Sequence, residues 1–245
     1  MKKIVVAPDS FKGSLTSAEV ADAVERGIKD VFPQCNVVKA GVADGGEGTV
    51  EAIVKAVGGD MYAASVTDPL GRPVKAAYGI VRSGGVKTAV MEMSAASGLP
   101  LLLPDELNPW ITSTYGTGEM ISDALNRGCR KFLVGIGGSA TNDAGTGMLS
   151  ALGVRFLDSR GQRLKGCGRD LESIVRIDMS SLMPAARESE FIVACDVNTP
   201  FCGPDGAARV FAPQKGADPQ TAEALDRGMR SFARVIAGQF QTDIV

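Results

Sequence analysis

The first sixty residues alternate apolar segments of two different periods, and this alternation constrains the fold more than any other feature. Residues 3–7 are a short β-branched apolar run, the pattern of a strand buried on both faces. The run delivers Pro8, Asp9 and Ser10 at its carboxyl end. Thr16-x-x-Glu19 then has capping-box spacing, in which each side chain satisfies the other residue's free backbone N–H. A helix is expected from there to about Val31. Val20, Val24, Ile28 and Val31 share one of its faces, and Pro33 lies past its end. Residues 36–40 read as a second strand and residues 49–57 as a second helix, stopped by Gly58-Gly59. Strand, helix, strand, helix is the order of a parallel, doubly wound α/β unit.

The pattern then changes. Residues 62–67, 73–81 and 87–93 read as three strands, separated by the turns Asp68-Pro69-Leu70-Gly71 and Ser83-Gly84-Gly85. Consecutive hairpin-linked strands belong to a mixed sheet. A boundary is therefore expected near Asp60, between an N-terminal unit, 1–60, and a mixed-sheet α/β unit, 61–245. Within the second unit, helices are expected at about 119–126, 144–152 and 221–237, and strands at 131–136, 154–158 and 191–195.

Composition narrows the chemistry. With 245 residues, 44% hydrophobic and 22% charged, the chain has the make-up of an ordinary globular protein. A net charge of −2 gives no electrostatic reason to expect nucleic acid or a membrane surface. No apolar run is long enough to span a bilayer, and Ile4-Val5-Val6-Ala7 is too short for a signal-peptide core, so a cytoplasmic location is expected. Cys35, Cys129, Cys167, Cys195 and Cys202 are scattered, with no CxxC pair to suggest a disulfide framework or a zinc site. The chain has no histidine. That removes histidine-dependent triads, histidine-ligated metals and imidazole shuttles, leaving acid–base work to Asp, Glu, Lys or Tyr. Phosphoryl transfer, which rests on positioning and electrostatics, survives this filter best.

Five polar segments are candidate sites. In residues 8–14, after the first strand, Asp9, Ser10 and Lys12 are placed to hold a metal, a hydroxyl and a phosphate or carboxylate. The alternative is a turn satisfied by its own side chains. In residues 43–49, Gly45 and Gly46 let backbone approach a ligand, and Asp44 and Glu47 suit Mg²⁺ beside a phosphate or, alternatively, simple helix capping. Residues 115–119 open a helix, with Thr117 read as an ordinary N-cap or a site residue. Between a strand and a helix, residues 135–143 carry Gly137, Gly138, Ser139, Thr141, Asn142 and Asp143, more glycines and polar groups than capping requires. A phosphate, ribose or polyol contact is expected there. Asp196 ends an apolar strand, where a carboxylate is costly unless paired, bonded or used. It is the first candidate for a base that accepts a substrate hydroxyl proton, with a turn-forming role as the alternative. No GxxxxGK[ST] occurs, and GTGMLS from Gly145 falls inside a helix, so a dinucleotide-dependent oxidoreductase is only a distant alternative.

Taken in order, these segments resemble the bacterial glycerate kinase family of the first type. The stretches that carry the resemblance are APDSFKGSLTSAEV, DGGEGT, DPLGRPV, ASGLPLL, TYGTGEMI, GIGGSATNDAGTGM, ACDVNTPFCG and FAPQKGA. The resemblance implies ATP-dependent phosphorylation of D-glycerate to a phosphoglycerate. It also implies a flavodoxin-like domain, begun by residues 1–60, with a second α/β domain inserted into it. In that setting Asp196 and Lys12 are the expected catalytic residues. Asp9, Ser10, Gly45, Gly46 and Arg72 are expected at the substrate, residues 137–143 at the nucleotide, and Asp44 and Glu47 at Mg²⁺. ATP and D-glycerate are then the small-molecule partners, which leaves room for a homo-oligomer. Members of the family continue beyond the equivalent of Val245, so the rest of the first domain is expected beyond that point. An inactive or less stable 245-residue chain is the competing expectation.

Overall fold

The computed structural model describes residues 3–8, 11, 14–40, 48–195 and 197–244. The opening unit forms as its periodicity dictates. Strand β1 (Lys3–Val6) pairs in parallel with β2 (Asn36–Lys39), in the register Lys3 to Asn36 through Val6 to Lys39. Helix α1 (Ser17–Val31) makes the crossover and packs on both strands. Its capping box is complete: Glu19 N donates to Thr16 Oγ1 at 3.2 Å, and Thr16 N to Glu19 Oε2 at 2.8 Å. Only part of the expected apolar face is covered, for Val20 is buried while Val24 and Val31 are exposed. Val5 of β1 is 60% exposed.

Helix α2 (Thr49–Val57) leads into β3 (Gly59–Thr67), β4 (Pro73–Ser83) and β5 (Val86–Glu92), an antiparallel meander. After α3 (Ser94–Ser97) and α4 (Tyr115–Asn126) comes β6 (Lys131–Gly135), parallel to β5. Helix α5 (Thr146–Ala151), the antiparallel pair β7 (Arg155–Leu157) and β8 (Arg176–Asp178), and α6 (Pro184–Arg187) precede β9 (Glu190–Ala194). Strand β9 pairs in parallel with β6, so the main sheet has the order β3-β4-β5-β6-β9. Helices α7 (Ala207–Phe211) and α8 (Pro219–Phe240) end the described chain.

Each face of the main sheet has its own cover. On one side α3, α4 and α6 bury Tyr78, Met91, Phe132, Met120 and Ile121. On the other, Val50, Ile53 and Val54 of α2 pack on Val81, Val90 and Leu133. Gly79 permits that contact, since a Cβ there would lie 2.3 Å from Val54 Cγ2. Helix α2, which precedes Asp60 in sequence, thus packs on the sheet that follows it. A second core joins β7, β8, the 3-10 turn Gly168–Ser173, α7 and α8 around Phe156, Leu171, Ile174, Leu225 and Phe232. Phe156 and Phe232 meet edge to face at 5.9 Å between centroids. The architecture is a mixed α/β fold with parallel and mixed sheets.

Candidate active site

Strands β5, β6 and β9 run parallel, and their last residues, Glu92, Gly135 and Ala194, lie in register. Open α/β sheets bind ligands outside such carboxyl ends, because the loops that leave them converge there. Glu92 is buried at this edge, and its Oε1 accepts a hydrogen bond from Val50 N at 2.9 Å. It thereby holds the N-terminus of α2 at the strand ends. A glutamate closing an apolar strand was the available sequence signal for this residue, and the sequence reading missed it.

The connection from β6 to α5 fills the middle of the edge. Gly138, at φ 69°, accepts a hydrogen bond at its carbonyl from Leu99 N (2.9 Å), and Ala140 N donates to Ser97 O (2.8 Å). Ser139 bridges to Gly98, and Thr112 Oγ1 donates to Ala140 O at 2.8 Å. The segment after β5 therefore clamps the segment after β6. Ala144 takes a left-handed φ of 50°, a strained conformation for a residue with a Cβ.

Burial divides the six loop residues. Gly138 is exposed, Gly137 and Ser139 are half-buried, and Thr141, Asn142 and Asp143 are buried. Asp143 accepts from Thr114 N (2.8 Å), Thr114 Oγ1 (2.7 Å), Gly145 N (3.1 Å) and Gly147 N (3.2 Å). Thr114 Oγ1 in turn accepts from Met148 N. Burial pushes the Asp143 carboxyl above the usual carboxylate range, against the pull of those donors. Asn142 Nδ2 donates to Met229 Sδ of α8 at 3.3 Å. Behind the loop, Lys215 Nζ donates to Ser139 Oγ (2.9 Å) and Thr141 O (2.6 Å). Burial pulls this lysine down to about 8, with the Asp143 charge opposing. FAPQKGA had marked Lys215 only as part of a motif; no residue spacing points to the loop it enters.

Arg72 and Thr117 also have defined surroundings. Arg72 donates to Asp68 Oδ2 at 2.5 Å, to both oxygens of Glu106 at 2.6 and 3.2 Å, and to Leu101 O at 3.3 Å. Its guanidinium already faces two carboxylates and fastens the β3–β4 turn to the 3-10 turn Pro104–Glu106. Thr117 is not an N-cap: α4 begins at Tyr115, and Thr117 lies within it, its hydroxyl 2.7 Å from Ser97 Oγ. The glycines of that segment serve packing, since a Cβ on Gly118 would stand 2.2 Å from Met148 O. Asp9, Ser10, Lys12, Asp44, Gly45, Gly46, Glu47 and Asp196 lie outside the described residues. In sequence, Asp196 follows the end of β9 by two positions.

An open α/β sheet with its polar loops gathered at the carboxyl ends of parallel strands defines a class, the α/β proteins that present small-molecule sites at a strand-end edge. Within that class the chain belongs to the glycerate kinase family, whose profile matches residues 4–245. It is 51% identical over 233 residues to the glycerate kinase of Haemophilus influenzae, covering 95% of this chain and 61% of that protein. It is 46% identical over 242 residues to the glycerate 2-kinase of Escherichia coli, covering 99% and 63%. The crystal structure of a putative glycerate kinase 2 from Salmonella typhimurium LT2 superposes with a TM-score of 0.84 at 45% identity, covering 99% of this chain and 64% of that one. The chain thus spans under two thirds of the length of these relatives.

Proposed function

We propose that the protein phosphorylates D-glycerate with ATP. The observation that carries this reading is the family match across residues 4–245, which takes in every loop gathered at the strand ends. The nucleotide's phosphate chain is assigned to the exposed half of the β6–α5 loop, Gly137, Gly138 and Ser139. Backbone and hydroxyl are available there, and a buried lysine stands behind. Thr141, Asn142 and Asp143 act through the loop, holding its shape from inside. Asp196, leaving β9, accepts the proton of the glycerate hydroxyl, and Lys12 meets the transferring charge. Asp9, Ser10, Gly45 and Gly46 contact glycerate. Among the described residues no group of three or more His, Cys, Asp or Glu could hold a metal, and the carboxylates assigned to Mg²⁺, Asp44 and Glu47, lie outside them. When bound, Mg²⁺ supplies charge neutralisation on the phosphate chain. In the same reading, β1, α1 and β2 open a flavodoxin-like domain into which the main sheet is inserted, with the join in the connection before α2.

The test is ADP release by the 245-residue chain with MgATP and D-glycerate. Expected is release that requires D-glycerate, needs no nicotinamide and stops on chelation with EDTA. Asp196→Asn should lower kcat by about two to four orders of magnitude while KM for glycerate changes far less. Release that ignores D-glycerate or survives EDTA defeats the reading. The exposed apolar residues on β1 and β9 favour a second one, in which these 245 residues alone bind the ligands without turnover. Its signature is nucleotide affinity with no ADP release.

A further inference from the structure

We propose that Lys215 fixes the Ser139 hydroxyl as an outward-facing donor, making residues 137–139 a receptor for acceptor-only anionic oxygens, those of the nucleotide's phosphate chain. The inference rests on the nucleotide placement above and adds the residue and the chemistry that select its ligand. Lys215 is only 7% exposed, at the end of the 3-10 turn Pro213–Lys215. An ammonium has three hydrogens and no lone pair, so Ser139 Oγ, 2.9 Å from Nζ, can only accept from it. The Ser139 hydrogen then turns away from Lys215, and among the described residues it meets no protein acceptor. Ser139 itself is half-buried beside the exposed Gly138. A hydroxyl polarised by a cation behind it is a strengthened donor. It suits a phosphate oxygen and disfavours a ligand group that must donate.

A structural tie alone would not call for a charge. A neutral donor could hold Thr141 O without the desolvation that a buried ammonium costs. Asp143 is the charged group facing Lys215, and its carboxylate is occupied by Thr114, Gly145 and Gly147. Lys215 makes no ion pair with Asp143, and the ammonium's hydrogen bonds go to the loop, to Ser139 Oγ and Thr141 O. Burial also lets Lys215 lose its proton near pH 8. The neutral amine is an acceptor, toward which the Ser139 hydroxyl can rotate, withdrawing the outward donor. Anion affinity should then fall as pH rises through that value.

Calorimetric titration of the 245-residue chain with ADP, and separately with D-glycerate, tests this. Ser139→Ala and Lys215→Met should each weaken ADP binding at pH 7.5 by about tenfold to a hundredfold and leave D-glycerate affinity unchanged. Wild-type affinity for ADP should drop about tenfold between pH 7.5 and 9.5, a range above the titration of a terminal phosphate at about pH 6. Lys215→Arg, which stays charged, should flatten that drop. Ser139→Ala removes one hydroxyl from a half-buried residue and leaves Lys215 its bond to Thr141 O, a smaller change than Lys215→Met. It therefore carries the test if Lys215→Met does not fold. Wild-type binding of ADP with Ser139→Ala indifferent overturns this inference alone, as does a flat wild-type profile or one that Lys215→Arg leaves unchanged. A Ser139→Ala loss confined to D-glycerate overturns the phosphate assignment. Failure of the wild type to bind ADP at all overturns the nucleotide placement and this inference with it.

Discussion

Lys215 and Asp143 carry opposite charges into one loop, yet the protein meets them unequally. Asp143 has four donors around it, whereas Lys215 has one hydroxyl and one carbonyl. The lysine's burial has a measurable sign in stability. The unfolded chain holds this proton up to about pH 10.5, the usual lysine value, and the folded chain releases it near pH 8. Between those values the unfolded state binds more protons, so this group makes stability rise with pH. Relative to Lys215→Met, the wild type should gain up to about 3 kcal/mol between pH 8 and 10.5. Denaturant titrations of both proteins at pH 7 and pH 10 measure the difference, and a constant gap would mean that the lysine is not a buried ammonium. None of this was legible in the sequence. Ser139 could be picked out because glycines and hydroxyls cluster around it. Lys215, 76 positions later, becomes a partner only through the fold.

At the scale of elements, sequence signals were dependable where the bond they describe is local. The Thr16–Glu19 capping box is such a case, and both of its bonds form. Strand β8 was missed because Ile177 is the sole apolar residue of its three and shows no period. The start of α4 was misplaced because two glycines near a threonine resemble a turn, whereas they let α4 approach α5 and the end of β3. Gly116 and Gly118 would set a Cβ 1.8 Å from Thr67 O and 2.2 Å from Met148 O. Helix propensity alone predicts that Gly→Ala inside a helix stabilises by about 1 kcal/mol. At Gly118 overpacking against a backbone carbonyl outweighs this, and Gly118→Ala should lose about 2 kcal/mol net. Gly27 of α1 has nothing within 4 Å of its Cβ position, so Gly27→Ala should gain up to about 1 kcal/mol. Thermal denaturation of the two variants should move in opposite directions. A stabilised Gly118→Ala would mean that the α4–α5 contact yields more easily than its geometry implies.

Across the whole molecule, the parallel strands are covered unevenly. Central β6 buries Phe132 and Val134, and α2 covers its Leu133 on the other face. Strand β9 leaves Ile192 53% and Val193 56% exposed, and among the described residues β1 and β2 pair only with each other. Parallel strands draw their stability from cover on both faces, so local unfolding should reach β1 and β9 well before β6. The alternation that announced β1, α1 and β2 is a property of neighbouring residues, which is why those elements could be read in advance. The packing of α2 onto β4 and β5 is a long-range contact, and the change of strand pattern near Asp60, a local signal, carries no information about it. Native-state hydrogen exchange resolves the gradient directly. Amides of residues 4–6 should exchange at least about a hundredfold faster than those of residues 132–134, a gap of about 3 kcal/mol in opening free energy. Equal protection of the two segments would mean that β1 is covered by a partner surface, and its exposed Val5 would then mark where that surface sits.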